Sequence, residues 1–344
     1  MPKLIMGKTA KEWFDRGLFL AQKGDSKQAI DCFVHTVKID PKDGMAWNYL
    51  GLYIGKLHGD YEKTINYCSK AVTIDPENQD GWYNLGWACN KLNRFKKAIV
   101  CFNKAIKINP NNRNYWFNMG VSYDQLDDPQ KAINCYVKAV EIFPKFKEAW
   151  LNLGNSYISI ESYRKAINCF EKVVRLEPMG SKAWFVMGLA FLNLKNHEKA
   201  IECLDKAVKT NPNYKEAWNK LGDIYEIVGK EYRVLECREI EVEIDPEDSI
   251  AMFNLAAAYA KIEAYQKSIN YLQKVIDIDP QNSKAWYYMG YLYGKTNLEN
   301  ISKGIECLEK ALKLDPNDEA TSSTLRLFKL LEANLKKSGK LDEN

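Results

Sequence analysis

The sequence predicts an all-α solenoid of nine helix–turn–helix repeats with a C-terminal capping helix, and three observations carry that prediction. A block of the form Trp-x-x-(Leu or Met)-Gly recurs at Trp47–Gly51, Trp82–Gly86, Trp116–Gly120, Trp150–Gly154, Trp184–Gly188, Trp218–Gly222 and Trp286–Gly290. Prolines close the successive repeats at Pro41, Pro76, Pro110, Pro144, Pro178, Pro212, Pro246, Pro280 and Pro316. Their middle spacing is 34 residues, with one extra residue in the second repeat and two in the ninth. Such a period marks a stack of supersecondary units, none of which buries its apolar side alone.

The boundaries follow in order. After a lead-in over 1–9, the repeats run 10–43, 44–78, 79–112, 113–146, 147–180, 181–214, 215–248, 249–282 and 283–318 as a single array. In each repeat a small first-helix residue (Gly17, Gly51, Gly86, Gly120, Gly154, Gly188, Gly222, Ala256, Gly290) faces a small second-helix column (Ala29, Thr64, Ala98, Ala132, Ala166, Ala200, Ser268, Gly304). Small residues at both places let the helix axes approach to near the short end of the usual ~8–10 Å separation. Around that contact stand Trp13, Trp47, Trp82, Trp116, Trp150, Trp184, Trp218 and Trp286, with Met252 in the eighth repeat, and these tryptophans are read as core. Proline ends each second helix because it lacks an N–H and disfavours helical geometry before it. Over 319–337, Leu325, Phe328, Leu331 and Leu335 fall on one helical face and Arg326, Lys329, Glu332, Lys336 and Lys337 off it, as a polar capping helix requires. Residues 338–344 read as a flexible tail.

These landmarks resemble the tetratricopeptide repeat (TPR) family, whose 34-residue helix–turn–helix carries Trp, Leu-Gly, Tyr, Ala, Phe and Pro at fixed offsets. The resemblance covers residues 10–318 and leaves no room for a catalytic domain. It implies a right-handed superhelix with first helices on the concave side, and a protein-binding scaffold or adaptor, not an enzyme.

Composition and motifs exclude several alternatives. The chain is 46% hydrophobic and 27% charged, ordinary for a globular protein. Its net charge of +4 is spread over 49 basic and 45 acidic residues without a one-signed stripe, so no nucleic-acid partner is expected. No run reaches the ~18 apolar residues of a membrane span, and the start at Met1-Pro2-Lys3-Leu4-Ile5-Met6 is too short an apolar stretch for a signal peptide. A cytoplasmic protein with no membrane partner is therefore expected. Of the nine cysteines, Cys32, Cys101, Cys135, Cys169, Cys203, Cys237 and Cys307 stand nine residues before their proline and Cys68 eight before. That column reads as small packing residues on separate helices, not as a disulfide or zinc set. His35, His58 and His197 lie in different repeats, and no phosphate-binding, dinucleotide or nucleophile-elbow motif occurs, so no catalytic residue, cofactor or metal is assigned.

The candidate binding face comes from the first helices. The column two before the small residue reads Asp15, Tyr49, Asn84, Asn118, Asn152, Val186, Lys220, Asn254 and Tyr288. Its run of three asparagines is similar to the asparagine ladders of O-linked N-acetylglucosamine transferases and importins, where each amide supplies donor and acceptor to a peptide backbone. The expected peptide-binding set is Asn84, Asn118, Asn152, Asn155, Asp124 and Asn254 with the aromatic residues Tyr83, Trp87, Phe117, Phe185, Tyr287 and Tyr291. The alternative for each is a packing role under the next repeat. The Lys-Asn, Asn, Lys-Arg carboxylate clamp of chaperone-binding TPR domains is not matched, so that partner is not expected. Glu216, Asp223 and Glu226 make the seventh repeat acidic, and Lys261, Lys284 and Lys295 the eighth and ninth basic.

The seventh repeat also departs from pattern, with Val234, Arg238 and Glu241 where Ala, Phe and Ala are expected. Either Arg238 and Glu241 pair on one helix face or the helix is rotated and loosened into a hinge. The leading reading is a non-enzymatic adaptor that takes an extended or helical segment of a protein partner. A regulatory or substrate-recruiting subunit of a separate enzyme, or a self-associating scaffold, are the alternatives.

Overall fold

The computed structural model describes residues 4–297 and 300–337. The tail expected over 338–344 lies outside the described residues. The chain divides into two compact units, Met1–Pro178 and Met179–Asn344. The N-terminal unit holds α1 (Ala10–Gln22), α2 (Ser26–Ile39), α3 (Gly44–His58), α4 (Tyr61–Ile74), α5 (Gln79–Lys91), α6 (Phe95–Ile108), α7 (Arg113–Asp124), α8 (Pro129–Ile142), α9 (Lys147–Ser159) and α10 (Tyr163–Leu176). The C-terminal unit holds α11 (Ser181–Asn193), α12 (His197–Thr210), α13 (Lys215–Ile227), α14 (Glu231–Ile244), α15 (Ser249–Lys261), α16 (Tyr265–Ile278), α17 (Ser283–Thr296), α18 (Ile301–Leu314) and α19 (Glu319–Lys337). From α1 to α18 odd-numbered helices are first helices of repeats and even-numbered ones are second helices, and α19 follows the ninth repeat.

Local chemistry fixes the helix ends. Asp43, Asp60, Asn78, Asn112, Asp128, Asn196, Asp248 and Asn282 each cap a helix, their side-chain oxygens accepting an N–H of its first turn. Between first and second helices the chain passes through a left-handed residue, at Asn93, Asp127, Glu161, Lys195, Gly229 and Glu263 in consecutive repeats. Only Gly229 adopts that conformation without Cβ strain.

The small first-helix column is the pivot of packing. A Cβ built on Gly86 would stand 2.7 Å from the Phe102 ring, and the same holds at Gly17, Gly120 and Gly154 against Phe33, Tyr136 and Phe170. These rings are fully buried, each contributing on the order of 1.5–3 kcal/mol of apolar burial. Cys68 takes the ring's place against Gly51 in the second repeat. It therefore stands outside the cysteine column, which explains its one-residue offset. All nine cysteines are buried, and burial raises the Cys68, Cys135, Cys169 and Cys237 thiols to about 12.

The tryptophan column lines the margin of the core. Trp13 and Met252 are buried, and the other tryptophans of the column are half-buried and packed against the core clusters. The indole N–H groups of Trp47, Trp82, Trp116, Trp150, Trp218 and Trp286 donate to the carbonyls of Pro41, Pro76, Pro110, Pro144, Pro212 and Pro280 at 2.8–3.1 Å. An indole N–H that leaves water needs an acceptor, and the proline carbonyl in the turn just beyond the preceding helix supplies it.

Two further departures lie in the C-terminal unit. In α14 the first alternative holds, because Arg238 and Glu241 are 4% and 2% exposed and Arg238 Nη1 donates to Glu241 Oε1 at 2.7 Å. The Arg238 guanidinium occupies the ring position, 2.9 Å from a Cβ built on Gly222. It also donates to Asp223 Oδ1 at 2.6 Å and to the Asn219 carbonyl at 3.3 Å, while Asn219 Nδ2 donates to Glu241 Oε2 at 3.0 Å. In α19, Leu325 and Phe328 are buried as expected, but Leu331 is exposed together with Leu327 and Leu330. The helix is therefore apolar on two faces, since only one neighbouring second helix, α18, covers it.

Candidate functional site

In the N-terminal unit, a cavity of about 320 Å³ opens on the first-helix face between α3 and α5, lined by Asn48, Tyr49, Leu52, Lys56, Asp80, Tyr83, Asn84 and Trp87. Asn84 is 5% exposed, and its Nδ2 donates to Asn48 Oδ1 at 2.8 Å. The pair occupies the floor because a buried amide must find a partner, and the preceding repeat offers a second amide. Tyr83 packs on Phe102 and Tyr115, and its hydroxyl accepts from Asn118 Nδ2 at 3.2 Å. Burial pushes the Tyr83 and Tyr49 hydroxyls upward in pKa. Trp87 meets Tyr61 edge-on and packs against Gly55 of α3.

Further along the same unit, the predicted residues are joined by hydrogen bonds between successive first helices. Tyr115 of α7 donates to Asp80 of α5, and Ser122 donates to Asn90 Oδ1 at 2.8 Å. Asp124 accepts from Tyr136 at 2.6 Å and from Ser156 of α9 at 3.1 Å, while Asn152 Nδ2 reaches the Tyr136 hydroxyl at 3.3 Å. Burial raises the Asp124 carboxyl above its usual range, and the two hydroxyl donors only partly offset this. Phe117 lies between Tyr136 and Phe146, and Asn155 is exposed. The amide nitrogens of Asn84, Asn118 and Asn152 thus bond within the chain.

In the C-terminal unit the same columns give a different surface. Phe185 packs on Tyr214, and Asn254 is half-buried. A cavity of about 300 Å³ opens over Phe253, Ala257, Ala260, Lys261, Ser268, Leu272, Tyr288 and Leu292. Tyr287 and Tyr291 stack at 6.4 Å, and Tyr288 meets both Tyr287 and Phe253 edge-on. The sequence singles out Tyr287 and Tyr291 but not Ala257 or Leu327, which the offset from the closing proline places on the same face as Tyr291. Of the charges read from sequence, Asp223 is held by Arg238 and Lys220, and Glu226 ion-pairs with Lys261. Glu216, Lys284 and Lys295 are exposed.

Among the described residues, no group of three or more His, Cys, Asp or Glu side chains converges to hold a metal ion. Among them, too, no helix is long and apolar enough to cross a membrane.

Comparison with known proteins adds the following. Tetratricopeptide repeat patterns match residues 80–112, 114–146, 148–179 and 181–214, 11–43 and 250–282, and 271–303. The protein prenyltransferase alpha subunit repeat pattern matches residues 61–92. Among curated proteins, the chain is 29% identical over 82 residues to the peroxisomal targeting signal receptor of Saccharomyces cerevisiae, covering 24% of this chain and 13% of that protein. It is 36% identical over 52 residues to an uncharacterized protein of Methanocaldococcus jannaschii, covering 15% and 59%. The matches therefore span less than two thirds of either relative. Among solved structures, the C-terminal part of a TPR repeat-containing protein from Cytophaga hutchinsonii aligns with a TM-score of 0.63 at 16% identity, over 70% of this chain and 99% of that one. YrrB, described as a TPR protein with an unusual peptide-binding site, aligns with a TM-score of 0.51 at 22% identity, over 55% and 96%. At these identities the likeness shows the fold.

Proposed function

The chain belongs to the tetratricopeptide repeat family, and on that premise we propose that it is a non-enzymatic cytoplasmic scaffold that holds peptide segments of partner proteins on its first-helix faces. The observation that carries the reading is that each compact unit opens a cavity of about 300 Å³ on that face, lined by aromatic rings with a lysine at the edge. Aromatic side chains beside a hollow provide the anchor points on which peptide affinity concentrates. A solenoid offers such surface over its length because its repeats are fixed by columns that leave the remaining first-helix positions open to variation. Asn118, Asn152, Asn155 and Asn254 keep a place in the proposed peptide contact. The role of Asn84 is to hold Asn48 beneath it.

The test is a crosslinked pull-down from native lysate with three full-length proteins: wild type, Lys56→Glu/Asp80→Lys, and Tyr288→Ser/Tyr291→Ser. A retained protein lost with one variant, at unchanged helical circular dichroism, places the interaction on that unit's first-helix face. Identical retained sets from all three would sink the reading.

A further inference from the structure

Along α17, Lys284, Tyr287, Tyr288, Tyr291 and Lys295 are separated by three, one, three and four residues and so share one face. Tyr288 and Tyr291 are 44% and 37% exposed, and the Lys295 ammonium lies 5.6 Å from the Tyr291 ring centre. A lysine thus stands at each end of an open tyrosine stripe.

The stripe has apolar neighbours on both sides. Toward α15, Phe253 meets Tyr288 at 5.5 Å and the cavity continues over Ala257 and Ala260. Toward α19, burial fixes the helix's orientation. Thr321, Leu325 and Phe328 lie five, nine and twelve residues after Pro316 and are buried, as are Ala285, Met289 and Leu292 after Pro280. Leu327 and Leu331, eleven and fifteen residues after Pro316, therefore face the side on which α17 presents Tyr291 and Lys295. They are 55% and 37% exposed. Tyr287 also packs against the α18–α19 cluster, which joins the two helices into one floor.

We propose that the α15–α17–α19 face binds an acidic peptide segment of another protein, its leucine or aromatic side chains on this floor and its carboxylates at Lys284 and Lys295. The inference rests on the scaffold reading and narrows it to one partner chemistry. Charge decides the occupant. In an antiparallel pairing of two copies about the middle of the stripe, Tyr288 meets the second copy's Tyr291, and Lys284 meets its Lys295. A second copy thus brings like charges together, which is unfavourable, whereas an acidic segment brings opposite ones.

The test uses the full chain and fluorescence anisotropy with a labelled synthetic peptide carrying Leu and Phe in its centre and Glu at both ends. Its counterparts have Lys for Glu, or Ser for Leu and Phe. The Glu-ended peptide is expected to bind the wild type, more weakly as salt rises, and both counterparts at least about tenfold more weakly, a loss of about 1.4 kcal/mol. Lys284→Glu/Lys295→Glu should weaken the Glu-ended peptide by a similar factor and recover the Lys-ended one. Leu327→Ser/Leu331→Ser should weaken both. Because all four side chains are exposed, helical circular dichroism should not change; if the leucine variant does lose helix, the lysine swap decides alone. Equal binding of Glu-ended and Lys-ended peptides, or unchanged affinity in the lysine variant, overturns the proposal. So does a concentration-dependent doubling of mass that Leu327→Ser/Leu331→Ser abolishes. If the peptide fails here while the pull-down still yields a partner sensitive to Lys56→Glu/Asp80→Lys, only this inference falls. If both fail, the scaffold reading falls with it.

Discussion

The first-helix faces of the two units are built on one repeat template and differ in what joins neighbouring helices. In the N-terminal unit, hydrogen bonds tie successive first helices: Asn84 to Asn48, Asn118 to Tyr83, Ser122 to Asn90 and Ser156 to Asp124. In the C-terminal unit one exposed ion pair, Lys261 to Glu226, joins α15 to α13, the surface over α15 and α17 is largely aromatic and aliphatic, and further polar material lies deeper, in the Arg238–Glu241–Asp223–Asn219 cluster. The packing columns dictate helix approach in both units, but polar groups next to those columns have two stable outlets. They satisfy each other on the surface of the array, or replace a core ring and need a complete set of partners beneath it.

The sharpest way to break this comparison is at the buried charge. Arg238→Ala leaves Glu241 buried without its cation and should destabilise the protein by about 3–5 kcal/mol. Arg238→Leu combined with Glu241→Ala restores the Leu204 and Ala207 pattern of the preceding repeat, and denaturant unfolding should show it equal to wild type or more stable. A double variant as unstable as Arg238→Ala alone would show that the cluster is needed for more than filling the ring position.

The next effect belongs to the N-terminal unit. Asn84→Ala strands the buried Asn48 amide and should cost about 1–3 kcal/mol, whereas Tyr288→Ser on the exposed stripe should lie within about 0.5 kcal/mol of wild type. Equal costs at the two sites would erase the distinction between a polar clasp and an open floor.

Alkaline titration adds a third comparison. The N-terminal unit buries Cys68, Cys135 and Cys169, each raised to about 12, against Cys237 at about 12 and Cys307 at about 11 in the C-terminal unit. Because these folded-state values exceed the ordinary cysteine value of 9.0, the contribution is complete below that pH and is lost as pH rises toward the folded values. Stability should fall by roughly 1.4 kcal/mol per pH unit for each such thiol. Hydrogen exchange at rising pH should open the N-terminal unit more steeply, and equal opening would contradict the assignment. The smallest effect lies at the left-handed turns, where Glu161→Gly and Glu263→Gly relieve a Cβ strain already absent at Gly229. Each should change stability by no more than about 1 kcal/mol, read from thermal unfolding.

Much of the fold was legible because its columns are fixed by helix-to-helix distance. Gly86 and Phe102 announce each other from opposite helices, as do their equivalents. The surface was less legible for a physical reason visible at single residues. Asn84 and Asn118 share one column, yet what each amide bonds depends on the preceding repeat, which supplies an amide at Asn48 for one and a phenol at Tyr83 for the other. Leu327 and Leu330 fit a helical period as well as Leu331 does. Only the presence of α18 on one side and of no later helix among the described residues decides which leucines are covered. The half-burial of the tryptophans likewise depends on a proline carbonyl six residues back, an acceptor that residue type does not reveal.

The indole-to-carbonyl bond has one more consequence. Each is a clip across six residues that spans the joint between one repeat and the next. The extra residue of the second repeat and the two of the ninth fall instead between Gly51 and Thr64 and between Gly290 and Gly304, at the bend inside the repeat. Length variation is therefore absorbed where no clip exists, and these six joints have the same wiring, whereas the eighth repeat begins with Met252 in the tryptophan column. A chain built this way can grow or shrink by duplication or loss of whole repeats, because each of these proline ends mates with its tryptophan start in the same way. Excision of residues 113–146, which brings Asn112 next to Lys147, would re-form the joint with Trp150 six residues after Pro110 in the shortened chain.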